Sequence, residues 1–190
     1  TCALPIFDVL LSRTGYTGEL GYELYFSAEK TEFLWKKLLE NPKVKPAGLG
    51  ARDTLRLEMG FALYGNELNT DINPLEAGFA FMIKLKEQRN FVGKDALVKI
   101  AENKAEKQLL GFMLESKRAA RSGNSIIWQG EIVGTVSSGA FAPSVNTAVA
   151  LGYVKSSLQL QEGDKIEIDT GRTKLPASVC KMPFYKEGTV

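Results

Sequence analysis

The residues best suited to chemistry cluster early in the chain. Ser12-Arg13-Thr14-Gly15-Tyr16-Thr17-Gly18-Glu19-Leu20-Gly21-Tyr22-Glu23 sets three glycines at intervals of three, interleaved with two tyrosines. Such a backbone is tight enough to approach a flat ligand. The pattern is G-x-x-G-x-x-G, not the dinucleotide G-x-G-x-x-G, and no strand-turn-helix follows it. The plain alternative is a glycine-rich hairpin between two strands. Glu23 falls within a strand, opposite the face that carries Leu24 and Phe26. It is either a solvated strand glutamate or a carboxylate whose two oxygens accept paired N–H donors from a heterocycle edge. Arg52, in Gly48-Leu49-Gly50-Ala51-Arg52-Asp53-Thr54-Leu55-Arg56, has no obvious local partner, whereas Asp53 and Arg56 pair naturally at i and i+3. Arg52 is therefore free to reach a ligand carboxylate or ring oxygen.

What is absent narrows the chemistry. The 190 residues include no histidine, which excludes Ser-His-Asp and Cys-His triads and His-ligated zinc. Cys2 and Cys180 stand near opposite ends, which fits two unreactive thiols in a reducing compartment. The 24 basic and 22 acidic side chains are spread evenly, with 13 of each in residues 1–100, so no basic stripe suits nucleic acid. No apolar run approaches the roughly 20 residues that span a bilayer, and the Ala3–Leu11 segment, interrupted by Asp8, is no signal peptide. A start at Thr1 that runs almost at once into strand-like sequence reads as a piece of a longer chain.

These residues need elements to position them. Hydrophobic periodicity predicts a short buried strand over Asp8–Ser12 and an alternating strand over Gly21–Ser27. It predicts a helix capped by Ser27 that runs through Leu39. A second helix over Leu49–Met59 should pack Ala51, Leu55 and Met59 inward, with Arg52 and Arg56 on an adjacent stripe. Asn73-Pro74 marks a turn, Phe79–Leu85 reads as a buried strand, and Gly93–Glu102 as a third helix. Beyond residue 103 the pattern changes to six short strands: Gln108–Glu115, Ser125–Gln129, Glu131–Ser137, Thr147–Val154, Lys165–Asp169 and Lys174–Lys181. The gaps between them hold turn formers. The expected fold class is α+β, with residues 1–103 as one region and residues 104–190 as a small antiparallel β-barrel or sandwich domain whose core draws on Ile127, Val136, Leu151, Ile166, Ile168 and Val179.

The Ser12–Glu19 run with Gly21 and Glu23 resembles the central motif of the glycine cleavage system T proteins, the aminomethyltransferases. The resemblance continues through Ala47-Gly48-Leu49, Ala51–Glu58, Leu63-Tyr64-Gly65-Asn66-Glu67-Leu68, Asn73-Pro74-Leu75-Glu76 and Gly134-Thr135-Val136-Ser137-Ser138-Gly139. Ala150-Leu151-Gly152-Tyr153-Val154 and Lys181-Met182-Pro183-Phe184-Tyr185 complete it. The order is preserved over nearly everything after residue 8, whereas Thr1–Phe7 fit the pattern poorly.

The resemblance implies a tetrahydrofolate-dependent aminomethyltransferase. Such an enzyme moves the one-carbon unit from the aminomethyl-lipoyl arm of H protein to tetrahydrofolate and releases ammonia. It implies tetrahydrofolate as co-substrate, no metal, and residues 1–103 as the second part of the folate-binding region. It carries over Glu23 as the contact to the pterin edge, Arg52 and Tyr16 as further folate contacts, and Tyr185 in the C-terminal tail. It implies no partner among nucleic acids or membranes, and a cytoplasmic location in a bacterium or the mitochondrial matrix in a eukaryote. The family's catalytic aspartate lies in an N-terminal portion that this chain lacks, so no aspartate here inherits that role, and the chain is expected to be inactive alone. Two alternatives stay open: a folate-binding or interaction module without turnover, and the folate domain of a dimethylglycine or sarcosine dehydrogenase.

Overall fold

The computed structural model describes residues 8–188; Thr1–Phe7, including Cys2, lie outside the described residues. Strands β1 (Leu10–Ser12) and β2 (Glu23–Tyr25) pair antiparallel, with Ser12 opposite Glu23, so the glycine-rich segment is the loop of a hairpin. Both strands are largely exposed, against the expectation of a buried β1. A two-stranded ribbon buries nothing unless another layer covers it. Helix α1 (Thr31–Leu39) follows a 3-10 turn at Ala28–Lys30; Ser27 precedes that turn but its side chain makes no capping hydrogen bond.

Helix α2 (Leu49–Glu58) differs from its predicted packing. Ala51 is exposed and Leu55 is at the surface, while Arg56, Leu57 and Glu58 are buried. Ala51 and Leu55 stay at the surface while Met59, half-buried, packs against Gly18, because α2 presents its C-terminal end, rather than a full-length stripe, to the barrel. Gly60 ends the helix in the left-handed region (φ 67°). Its N–H bonds the carbonyl of Leu57, and the Phe61 N–H bonds that of Arg56 at 2.9 Å. This paired closure satisfies the last carbonyls and turns the chain back on itself.

Asn73 makes the expected turn, its Oδ1 accepting from the backbone of Leu75 and Glu76. The predicted strand over Phe79–Leu85 is instead a 3-10 turn at Ala80–Met82. Local bonds from Met82 N to Phe79 O and from Ile83 N to Ala80 O replace a ladder, and Phe81 and Met82 are exposed. A strand needs a neighbour to bond, and none lies beside this segment among the described residues. Helix α3 (Lys94–Asn103) begins at Gly93.

The C-terminal region closes into a six-stranded antiparallel barrel. Its strands are β3 (Lys107–Leu114), β4 (Ser125–Trp128), β5 (Glu131–Ala142), β6 (Thr147–Lys155), β7 (Lys165–Asp169) and β8 (Lys174–Cys180), in the order β3-β6-β5-β4-β7-β8. Closure removes the exposed strand edges that an open sheet would leave. All six predicted core residues are buried. Val136, Ile166, Ile168 and Val179 fill the interior with Phe112 and Ile126. Leu151 belongs to a second cluster with Leu57, Leu109, Ala142, Val149 and Phe184, which seats α2 and the C-terminal tail against the outside of the barrel. The tail is tied there by the N–H groups of Phe184 and Tyr185, both donating to the Glu58 carbonyl at 2.9 and 3.1 Å.

Candidate functional site

The site is built on the hairpin loop and the turn that closes α2. Gly18 adopts φ 71°, and a Cβ placed on it would stand 2.4 Å from the Met59 sulfur. That glycine is required by backbone sign and by close packing on the end of α2. Gly15 and Gly21 have negative φ and only ordinary contacts, so they leave room beside the loop rather than enforce its shape. A cavity of about 450 Å³ does not involve this loop; the loop's own cavity, about 300 Å³, is lined by Arg13, Thr14, Gly15, Gly18, Leu20 and Phe61 among others.

Tyr16 is fixed from three sides. Its hydroxyl donates to the Ala62 carbonyl at 2.5 Å. Its ring stacks on Phe61, with centroids 5.8 Å apart and planes 24° from parallel. The Arg52 guanidinium lies over the ring, 4.7 Å from its centroid. Burial pushes the phenol pKa up from its usual value, opposed first by the Arg56 guanidinium. Arg52 itself is exposed and, among the described residues, makes no ion pair, as its lack of a sequence-local partner predicted. Asp53 takes Arg56 instead, at 2.8 Å.

Glu23 is exposed, not buried. The hydroxyls of Thr14 and Tyr25, the latter at 3.3 Å, both approach its Oε2. Among the described residues Oε1 has no hydrogen-bond partner, so one oxygen is held and the other is open. Glu23 makes no hydrogen bond or ion pair with Arg52 or Tyr16; Thr14, which bonds Glu23, and Phe61, which stacks on Tyr16, both line the loop cavity. Tyr185 is partly buried near the same loop. The tail it starts returns to the loop, where a Cβ on Gly188 would meet the Gly18 carbonyl at 2.9 Å and the Tyr185 ring at 3.8 Å.

Sequence reasoning missed Phe61 and Thr14. Thr14 lies inside the motif, and its alternation with Glu23 across the hairpin was available as a signal. Phe61 needed the α2 closure, and only the fold brings it to Tyr16. No described cluster of Cys, Asp and Glu is arranged to hold a metal ion, and no described helix is long and apolar enough to cross a membrane.

Residues 1–87 match the family model described as the GCVT N-terminal domain, and residues 107–186 match the glycine cleavage T-protein C-terminal barrel domain. The first match begins at residue 1 and so includes Thr1–Phe7. The chain belongs to the glycine cleavage T-protein family. It is similar to an aminomethyltransferase from Prochlorococcus marinus strain NATL2A, 42% identical over 181 residues, covering 95% of this chain and 48% of the relative. It is also similar to an aminomethyltransferase from Natranaerobius thermophilus, 43% identical over 182 residues, covering 94% and 50%. The crystal structure of glycine cleavage system aminomethyltransferase T from Bartonella henselae superposes with a TM-score of 0.88 at 32% identity, over 95% of this chain and 51% of that one. The chain thus spans about half the length of the relatives it matches.

Proposed function

We propose that this protein serves as the tetrahydrofolate-dependent aminomethyltransferase of glycine cleavage, taking the one-carbon unit from the aminomethyl-lipoyl arm of H protein and releasing ammonia. The family and the names of its relatives support the reading. The observation that carries it is the Arg52–Tyr16–Phe61 stack beside the glycine-rich loop. Stacked aromatic rings with a guanidinium over one of them offer apolar ring surface beside a fixed positive charge, a combination suited to an electron-rich heterocycle that carries acceptors or a carboxylate.

In this reading residues 8–103 supply one wall of the folate site. Tyr16 packs against the pterin or its neighbouring ring. Glu23, steadied at Oε2 by the Thr14 and Tyr25 hydroxyls, presents Oε1 and the remaining lone-pair capacity of Oε2 to the paired N–H groups of a 2-amino-4-oxo pterin, one oxygen to each donor. Arg52 supplies positive charge toward a ring oxygen or carboxylate of the folate. Tyr185 flanks the site from the tail. The protein's contribution is binding and orientation, while folate carries the carbon. No residue described here is assigned the proton transfer at the folate nitrogen.

The test is direct. A full-length T protein containing these residues is assayed with aminomethylated H protein and tetrahydrofolate, following methylenetetrahydrofolate and ammonia, beside its Glu23→Ala, Arg52→Ala double variant. Turnover that falls in the double variant with a raised KM for tetrahydrofolate supports the reading. Tetrahydrofolate binding without any transfer by that full-length protein would establish the non-catalytic module instead.

A further inference from the structure

Among the described residues, the most buried polar cluster lies outside the site, between α2 and the barrel. Arg56 and Glu67 are 1% and 0% exposed. Arg56 Nη1 donates to Glu67 Oε2 at 3.0 Å and to the Phe61 carbonyl at 3.0 Å. Its Nη2 donates to Ser138 Oγ at 2.7 Å, and its Nε to Asp53. Glu67 Oε2 also accepts from the Leu63 N–H at 2.9 Å, and Oε1 accepts from Ser137 Oγ at 2.5 Å. The Tyr153 hydroxyl donates to the Glu67 carbonyl, and Asn66 Nδ2 to Ser138 Oγ. Every buried side-chain polar atom described finds a partner.

A barrel irregularity makes this possible. In β5 the register shifts between Val136 and Ser138: Val136 faces Gly152, Ser138 faces Leu151, and Ser137 is the extra residue. In a regular strand two successive side chains point to opposite faces. The bulge re-aims one of them, so that Ser137 and Ser138, both buried, reach the same ion pair.

The segment gripped by this pair, Phe61-Ala62-Leu63, is the one that holds Tyr16. Phe61 gives its carbonyl to Arg56 and its ring to Tyr16; Leu63 gives its N–H to Glu67; Ala62, between them, gives its carbonyl to the Tyr16 hydroxyl. We infer that Arg56, Glu67 and the Ser137–Ser138 bulge are positioning residues for the Tyr16 platform, through which the barrel sets the geometry of the folate wall. The inference rests on the reading of Tyr16 as a folate contact only for its consequence in binding. The positioning itself is independent of what the platform binds.

The experiment uses the intact protein with 3-fluorotyrosine incorporated, the Tyr16 resonance being assigned by loss in Tyr16→Phe. Glu67→Gln keeps the shape but replaces an oxygen that accepts with an amide that cannot serve all three donors. Ser137→Ala removes one bond only and is the milder variant should Glu67→Gln fail to fold. Ile168→Val, inside the barrel and away from the network, controls for simple loss of stability. The expected result is a shifted or broadened Tyr16 fluorine signal in both network variants and none in Ile168→Val. Tetrahydrofolate Kd should rise at least tenfold in Glu67→Gln and severalfold in Ser137→Ala. Arg56→Lys, which keeps the charge but not the forked donors, should recover neither readout. A Tyr16 signal unmoved in the folded network variants, or moved equally by Ile168→Val, overturns the inference. An unchanged Kd in Tyr16→Ala itself would refute the folate contact while leaving the fluorine result to decide the positioning.

Discussion

The Arg52 guanidinium stands 4.7 Å above the centre of the Tyr16 ring, although the two lie 36 positions apart in the chain and neither has a neighbour in sequence that would bring them together. Their meeting joins the hairpin loop to α2, and the most direct prediction concerns it. Arg52→Ala should weaken tetrahydrofolate binding by about 1.5–3 kcal/mol, as loss of a charged hydrogen-bond donor does. It should lower folding stability by less than about 1 kcal/mol, because an exposed cation–π contact contributes roughly that much. Calorimetric titration beside a denaturation curve separates the two. A stability loss without an affinity loss would make Arg52 a structural residue.

Glu23 should behave likewise. It is exposed, so Glu23→Ala leaves the fold nearly unchanged, while the dissociation constant for tetrahydrofolate rises by the equivalent of about 1.5–3 kcal/mol. Thr14→Val, which removes the hydroxyl that holds Oε2, should show a smaller loss in the same direction. An affinity equal to that of the unaltered protein in both variants would withdraw the pterin-edge role.

Gly18 should accept a side chain only at a cost. Its φ of 71° opposes an L-residue, and the added Cβ meets the flexible end of Met59, which can yield in part. Gly18→Ala should therefore cost about 1–2 kcal/mol of stability, mostly from backbone conformation. Gly15→Ala should cost less than half as much, since its Cβ would meet nothing closer than 4.0 Å. Chemical denaturation of the two variants gives the comparison.

Cys180 supplies a pH dependence. Burial, with help from Glu162, raises its pKa from 9.0 to about 11. The folded chain therefore keeps a proton that the unfolded chain has lost. This contribution to stability is complete below pH 9 and disappears as pH rises through 11. Cys180→Ala should flatten the stability profile between those values. At pH 8 the peptide containing Cys180 should alkylate far more slowly in native than in denatured protein. Equal rates would show that the thiol is not protected.

The 190-residue chain by itself should self-associate. Leu10, Leu11, Trp35, Leu38, Phe81 and Met82 are all substantially exposed, Phe81 at 81%, and exposed apolar side chains of this size favour contact with other apolar surface. Sedimentation velocity across a concentration series should show a rising average mass, and a constant monomer would contradict it.

Much of this molecule was legible because its causes are local. Alternation of β-branched and polar residues in Lys165–Asp169, with turn formers between strands, is enough to define the barrel strands. The pairing of Asp53 with Arg56 follows from helical spacing alone. The motif around Gly15 and Gly18 singled out Tyr16, and the order of motifs along the chain pointed to the family. Where inference from pattern failed, the cause was a partner far away in sequence. Phe79–Leu85 has strand composition but no ladder to join. Ala51, Leu55 and Met59 have helical spacing, yet α2 turns Arg56, Leu57 and Glu58 to the barrel instead. Arg56, which helical spacing sets on the stripe adjacent to Ala51, Leu55 and Met59, is the most enclosed cation described, because Glu67 and Ser138, 82 positions away beside a one-residue bulge, complete its hydrogen bonds. Periodicity reports which face of an element is apolar. Which charged groups go inside is decided by whether distant donors and acceptors arrive together, and only the tertiary structure settles that.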